Sequence, residues 1–185
     1  MFDQDESGSV IWQVTMSLDG YIAAPGDEMS WVFDHIDPSD PAAAAVPDRI
    51  GAVVAGRRSF EVGRRHGMEV FDGAWSGRQF LLTNRPVDDA PAGIGIRSGE
   101  IAAIIEEALR AAQGKAVGLI GASVGRQCLE AGLVDEVIVH VAPVLLGAGV
   151  RFKGPEGRRD IRLRSSGTHG GVVTLHYAID KAGSS

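Results

Sequence analysis

Three short stretches of this chain carry residue types suited to gripping phosphate: Gly56-Arg57-Arg58-Ser59, Thr83-Asn84-Arg85 and Gly121-Ala122-Ser123-Val124-Gly125. Each lies at the end of a short apolar run (residues 50–55, 79–83 and 117–120) that reads as a buried strand. A strand followed by small residues and a helix start aims backbone N–H groups outward, where they donate to a pyrophosphate. The planar forks of Arg57 and Arg58 match phosphate oxygens, and an extra terminal phosphate such as the adenosine 2′-phosphate of NADPH suits such a pair. In an open parallel sheet, strand ends of this kind line up along one carboxyl edge, where ligands bind. The turn at 121–125 lacks the full G-x-G-x-x-G spacing, and the first strand has no Gly-rich turn, which argues against a standard Rossmann domain.

Other chemistry-bearing residues are sparse. The five histidines, His35, His66, His140, His169 and His176, show no metal-ligand spacing. His140 and His176 sit inside apolar runs and read as hydrogen-bonded core or edge residues. Only His35, beside Asp34, stands next to a candidate acid. The single cysteine, Cys128, rules out an intrachain disulfide and multi-cysteine metal sites, and its helical position reads as core.

The elements that must position these residues follow from periodicity. Residues 10–16 form a first strand; Ser17 to Gly20 is a turn; Tyr21 to Ala24 is extended. Pro25-Gly26-Asp27 opens a loop expected to run through Trp31. A helix is expected around 39–49, ending at Pro47. After Ile94 to Ile96, a short strand, Ser98 is expected to cap a helix over 100–112 with Ile101, Ile104, Ile105, Ala108, Leu109 and Ala112 on one face. Val117 to Ile120, the small-residue turn, a helix capped by Ser123 and closed by Gly132, and Val137 to Ala142 make one strand-turn-helix-strand unit. Residues 161–163 and 171–179 read as a final antiparallel pair. The alternation implies an α/β fold, three layers deep, with a mostly parallel sheet and an antiparallel end.

Composition agrees with a packed α/β protein: 185 residues, 44% hydrophobic, 25 glycines. A net charge of −6 without a face-long basic stripe argues against a dedicated nucleic-acid binder. No apolar run reaches membrane-span length, and the acidic start does not resemble a signal peptide, so a cytoplasmic protein is expected. The first nine residues and residues 182–185 are expected to be loose tails, with one domain over 10–181.

Three elements, Ser17-Leu18-Asp19-Gly20-Tyr21-Ile22-Ala23, the 56–63 stretch GRRSFEVG, and the long segment 119–149, resemble the dihydrofolate reductase-like superfamily. The last segment is similar to the reductase domain of the bacterial riboflavin-biosynthesis deaminase-reductase. The resemblance spans Val10 to Ile179. It implies a mostly parallel sheet of about eight strands with an NADPH site across the strand ends. It places the cofactor phosphates at Gly56, Arg57, Arg58 and Ser59, and the adenosine end at Thr83, Asn84 and Arg85. The pyrophosphate falls to Gly121, Ala122, Ser123, Val124 and Gly125, and Thr15 and Ile22 flank the nicotinamide.

For the substrate, the resemblance offers Asp34, shortly after Trp31, as the electrostatic or proton-supplying acid. Asp19 is the second candidate for that role, and the resemblance also makes it a contact to the substrate sugar, with Trp31 as a pocket wall. Riboflavin-type reductases usually carry a glutamate where this chain has Ile120, a point shared instead with dihydrofolate reductases. The implied activity is NADPH-dependent reduction of a small heterocycle, most simply the ribosylaminouracil of riboflavin synthesis. Dihydrofolate reduction and a non-catalytic nucleotide- or flavin-binding module are the alternatives. Homodimers are also implied, with the run 137–146 contributing.

Overall fold

The computed structural model describes residues 8–35, 40, 45–67, 69–73, 75–87 and 91–180. The expected tails, Gly8 and Ser9 excepted, and most of the helix expected at 39–49 lie outside them. Eight strands form one sheet: β1 (Val10–Ser17), β3 (Ile50–Gly56), β4 (Arg78–Leu82), β5 (Ile94–Arg97), β6 (Ala116–Ile120), β7 (Glu136–Ala142), β9 (Arg162–His169) and β10 (Val172–Ala178). Their order is β5-β4-β3-β6-β1-β7-β10-β9. All neighbours from β5 to β7 run parallel, while β10 is antiparallel to both β7 and β9. This is the expected α/β sheet with its antiparallel end.

The central strands are apolar on both faces because both faces are covered. On one side, α4 (Ile101–Ala111) and α5 (Ala122–Glu130) press Ile104, Ile105, Ala108, Val124, Cys128 and Leu129 onto Trp12, Val54, Val117, Leu119 and Val139. On the other, Val46 of α2 (Val46–Arg49), with Val70 and Trp75, covers Ile11, Ile50, Val53 and Ile138. Full burial of a side chain the size of Leu or Phe contributes roughly 1.5–3 kcal/mol, so this sandwich is the main source of rigidity beneath the strand ends. Burial pushes the Cys128 thiol up to about 12, which suits a small core residue and not a nucleophile.

Local details depart from expectation in instructive ways. Trp31 lies not in a loop but in a one-turn helix, α1 (Ser30–Phe33), whose buried face packs on Ala142. Pro47 sits in the first turn of α2 and starts that helix, because its missing N–H has no partner to lose there. The helix after β5 starts at Ile101 with Glu100 at its N-cap and no side-chain cap, so Ser98 does not cap it. Ser123 lies inside α5, its Oγ accepting from Gln127 Nε2, and Gly121 is the N-cap residue. The other end of α5 closes as its sequence predicts: Gly132 (φ 70°) lets its N–H and that of Leu133 close back on the carbonyls of Leu129 and Cys128. The extended piece after the first turn is β2 (Tyr21–Ala23), and it pairs with a strand the sequence does not announce, β8 (Val150–Arg151).

Candidate cofactor and substrate site

Adjacent strands β3 and β6 feed helices that leave in opposite directions. From β3, α3 (Arg57–Arg65) leads to β4; from β6, α5 leads across β1 to β7. That reversal opens a crevice at the carboxyl ends, the usual ligand position in an open α/β sheet. Gly56 pairs with Leu82, and Ala55 with Ile120, so Gly56, Thr83 and Gly121 reach the rim at nearly one level.

The three loops touch. A Cβ at Gly121 would collide with Ser59 Oγ, and one at Gly56 would lie 3.2 Å from Val124. Arg57 Nη1 donates to the Pro86 carbonyl at 2.8 Å, joining the start of α3 to the loop after β4. That loop is itself folded by the buried Thr83, whose Oγ1 accepts from the Arg85 N–H at 3.2 Å. Gly121 holds φ 105° and ψ 148°, a backbone region open almost only to glycine. This geometry starts α5 at Ala122 with no side chain capping its first N–H groups. Gly125 N–H already bonds to the Gly121 carbonyl, so the free donors are those ahead of it. Gly125 serves packing instead, since a Cβ there would enter the Trp12 indole, and only hydrogen lets α5 lie on β1.

A groove of about 620 Å³ leads away from this helix start, lined by Tyr21, Ala122, Ser123, Arg126, residues 147–150, Arg151 and Lys153. Arg126 pairs with Glu130 at 2.5 Å. Arg151 stacks 4.5 Å from the Tyr21 ring and donates to its hydroxyl at 3.0 Å, while that hydroxyl donates to the Gly147 carbonyl at 3.1 Å. Among the described residues, neither Arg151 nor Lys153 meets a carboxylate. The groove is therefore cationic. Arg57 and Arg58 are bound locally, Arg57 to Glu61 at 2.6 Å and Arg58 to Asp27 at 2.5 Å. The Asp27 carboxylate raises the Arg58 guanidinium above its ordinary value.

Asp19 braces the wall of this groove. Its carboxylate accepts from Ser17 Oγ at 2.6 Å, from the Leu146 N–H at 3.1 Å and from the Gly147 N–H at 2.7 Å. The Ser17 hydroxyl and these backbone donors lower its pKa to about 2.

A second cavity, about 180 Å³, opens on the opposite side of the rim. Its walls are mostly apolar (Ile11, Val46, Ile50, Val53, Leu119, Ile120), with Gln13 and Thr15 as the polar side chains on one face of β1. Gln13 is tied to His140 and His140 to Thr174, each at 2.8 Å. Burial lowers the His140 pKa, against an opposing pull from Asp40.

The structure thus brings Gly56 to Ser59, Thr83 to Arg85 and Gly121 to Val124 to one rim, and sets Thr15 in the cavity beside Ile120. Ile22 is half-buried on β2 and lines neither cavity. Trp31 is buried against Val32 and Ala142, and Asp34 is exposed at the end of α1; neither lines either cavity. Sequence reasoning missed Gln13, Arg151 and Lys153. Gln13 alone left a signal, as a polar break in an apolar strand two residues before Thr15.

The strand order and antiparallel end are those of the dihydrofolate reductase-like fold, and comparisons with known proteins agree. The family model of the RibD C-terminal domain matches residues 103–175, less than half of the chain. A protein assigned to riboflavin biosynthesis from Shewanella sp. PV-4 superposes with a TM-score of 0.79 at 23% identity, over 93% of this chain and 99% of that one. A diaminohydroxyphosphoribosylaminopyrimidine deaminase/5-amino-6-(5-phosphoribosylamino)uracil reductase from Thermotoga maritima gives 0.70 at 12% identity, over 94% of this chain and 57% of that one. Dihydrofolate reductase from Enterococcus faecalis, complexed with NADP(H), gives 0.62 at 14% identity, over 93% and 96%. No curated protein sequence matches the chain.

Proposed function

We propose that this protein is an NADPH-dependent reductase of a small heterocycle, of the type that reduces 5-amino-6-(5-phosphoribosylamino)uracil. The observation that carries this reading is the meeting of Gly56–Ser59 with Gly121–Val124 at one rim. Uncapped N–H groups of α5 face a groove bearing Arg151 and Lys153, and a dinucleotide pyrophosphate fits such a cradle because anions favour helix N-termini. Gly121 leaves the backbone bare where a phosphate would approach. Arg57 and Arg58 would turn from Glu61 and Asp27 toward a 2′-phosphate, and Thr83 to Arg85 would receive the adenosine. When bound, the cofactor supplies hydride from its nicotinamide. Thr15 and Ile120 would border the reacting ring.

The family-model match over 103–175 and the uracil reductase among similar folds support this substrate class. Ile120 and the dihydrofolate reductase neighbour support dihydrofolate as the second candidate. Of the two candidate acids, Asp19 lies at the groove wall through Gly147, while Asp34, exposed at the end of α1, would have to reach the substrate from outside both cavities. The exposed Leu163 and Val173 on β9 and β10 support pairing of two copies along the late strands.

The test is to follow NADPH consumption with each substrate using the purified protein. Turnover of the aminouracil supports the reading. Turnover of dihydrofolate alone moves the assignment to the second candidate, and no turnover with tight NADPH binding favours a binding module.

A further inference from the structure

The small cavity beside the rim contains, next to the Thr15 assigned to the nicotinamide, one polar side chain with no role so far, Gln13. Gln13 and Thr15 stand side by side on β1, in a slot otherwise walled by Ile11, Val53, Leu119 and Ile120. In such a slot an unpaired polar group is costly, so a ligand must answer the groups it meets.

Gln13 is not free to turn. Its Nε2 lies 2.8 Å from His140 Nε2, and His140 Nδ1 lies 2.8 Å from Thr174 Oγ1. An amide nitrogen only donates, so His140 Nε2 accepts, and its proton sits on Nδ1, donating to the threonine. β7 lies between β1 and β10, with Thr15 and Thr174 both in register with His140, which fixes this row across three strands. Burial lowers the His140 pKa, in the sense of the neutral ring that these hydrogen bonds require, while the Asp40 carboxylate pulls the other way. With one amide hydrogen committed to His140, the second hydrogen and the carbonyl oxygen of Gln13 remain for the cavity.

Resting on the reductase reading above, we propose that Gln13 is the specificity-determining residue of this site and pairs with the lactam edge of a planar heterocycle. Its Nε2–H donates to the ring carbonyl, and its Oε1 accepts from the adjacent ring N–H. His140 is a positioning residue that holds the carboxamide in that sense. Substrates without a cyclic amide are excluded, because they leave the carboxamide unanswered in an apolar slot.

The test is equilibrium binding of diaminouracil and of its N1,N3-dimethylated analogue, which lacks both ring lactam N–H groups, by calorimetry, with NADPH titration on every variant. The expected result is that methylation weakens binding to the native protein about tenfold or more, as loss of a buried hydrogen bond does. In Gln13→Leu, methylation is expected to cost little, while NADPH affinity is unchanged. His140→Leu is expected to shrink the methylation penalty without abolishing binding, which a merely structural role would not produce. An equal methylation penalty in native protein and Gln13→Leu overturns the proposal. Failure of NADPH to bind the native protein overturns the reductase reading instead, and the diaminouracil measurements stand apart from it.

Discussion

Gly121 and Ser59 touch across the rim of the sheet, so closely that a methyl group on Gly121 would collide with the Ser59 hydroxyl. The turn after β6 and the first turn of α3 are therefore one surface built from residues 62 positions apart in the chain (121 minus 59). Because α5 begins at that contact, the position of its N–H donors depends on it.

Gly121→Ala is expected to strike fold and cofactor together. The backbone at φ 105° is strained for alanine by about 1–3 kcal/mol, and the new methyl pushes on Ser59. Urea denaturation should show that loss, and NADPH affinity should fall in the fraction that folds. Gly125→Ala gives the contrast: its methyl enters the Trp12 ring, an overpacking cost of about 1–3 kcal/mol. Stability falls there, with cofactor affinity largely kept where the helix start survives.

These two glycines also mark what the chain's own pattern could reveal. Apolar runs bounded by small residues exposed β3, β4, β6 and β7, because strands covered on both faces need such runs. The pattern at 121–125 exposed the loop but not the division of labour within it, since Gly121 and Gly125 differ only in what each faces. Ser123 misled for the same reason: serine is a good cap wherever a helix starts one residue later, and here the unusual φ of Gly121 starts it earlier. Arg151 and Lys153 gave no local sign, as their importance comes from a loop folding back through Asp19 and Tyr21. Gln13 showed only as a polar break in its strand, and its role stayed out of sight because its partner His140 lies 127 residues away on the neighbouring strand.

Replacing Arg151 or Lys153 by glutamine is expected to weaken NADPH binding roughly tenfold, about 1.4 kcal/mol, with a shallower dependence on salt. Arg57→Ala and Arg58→Ala are expected instead to erase the preference for NADPH over NADH. Titration by tryptophan fluorescence at several ionic strengths separates the two effects. Equal binding of both dinucleotides by the native protein would remove the 2′-phosphate role from the arginine pair.

Asp19 links the groove to pH. Its pKa falls from 3.8 to about 2 on folding, chiefly through the Ser17 hydroxyl and the Leu146 and Gly147 N–H groups. A carboxylate depressed in the folded state adds stability that is complete above its unfolded value and lost as the pH falls through the folded one. Asp19→Asn is therefore expected to be less stable than native protein at neutral pH. The gap should close between pH 3.8 and about 2, where the native carboxylate also becomes protonated. Urea midpoints measured across that range provide the check. A constant gap would mean that the amide loses packing and not charge.

At the far end of the sheet, Glu136 is fully buried at the start of β7, opposite Ile11 and Ala178. Arg49 Nη2 donates to both of its oxygens, at 2.8 and 3.1 Å, and His176 Nε2 lies 2.5 Å from Oε2. Glu136→Leu would take this shared acceptor from Arg49 and His176, and breaking a buried ionic cluster on one side costs about 3–5 kcal/mol. Glu136→Gln keeps the shape and one acceptor oxygen, and should cost less. Since Ala142, at the other end of the strand, is what reaches the rim, NADPH affinity per folded molecule is expected to stay unchanged in both variants. Denaturation and titration of the same samples test this, because a loss of affinity without a loss of stability would place Glu136 in communication with the cofactor end of the sheet.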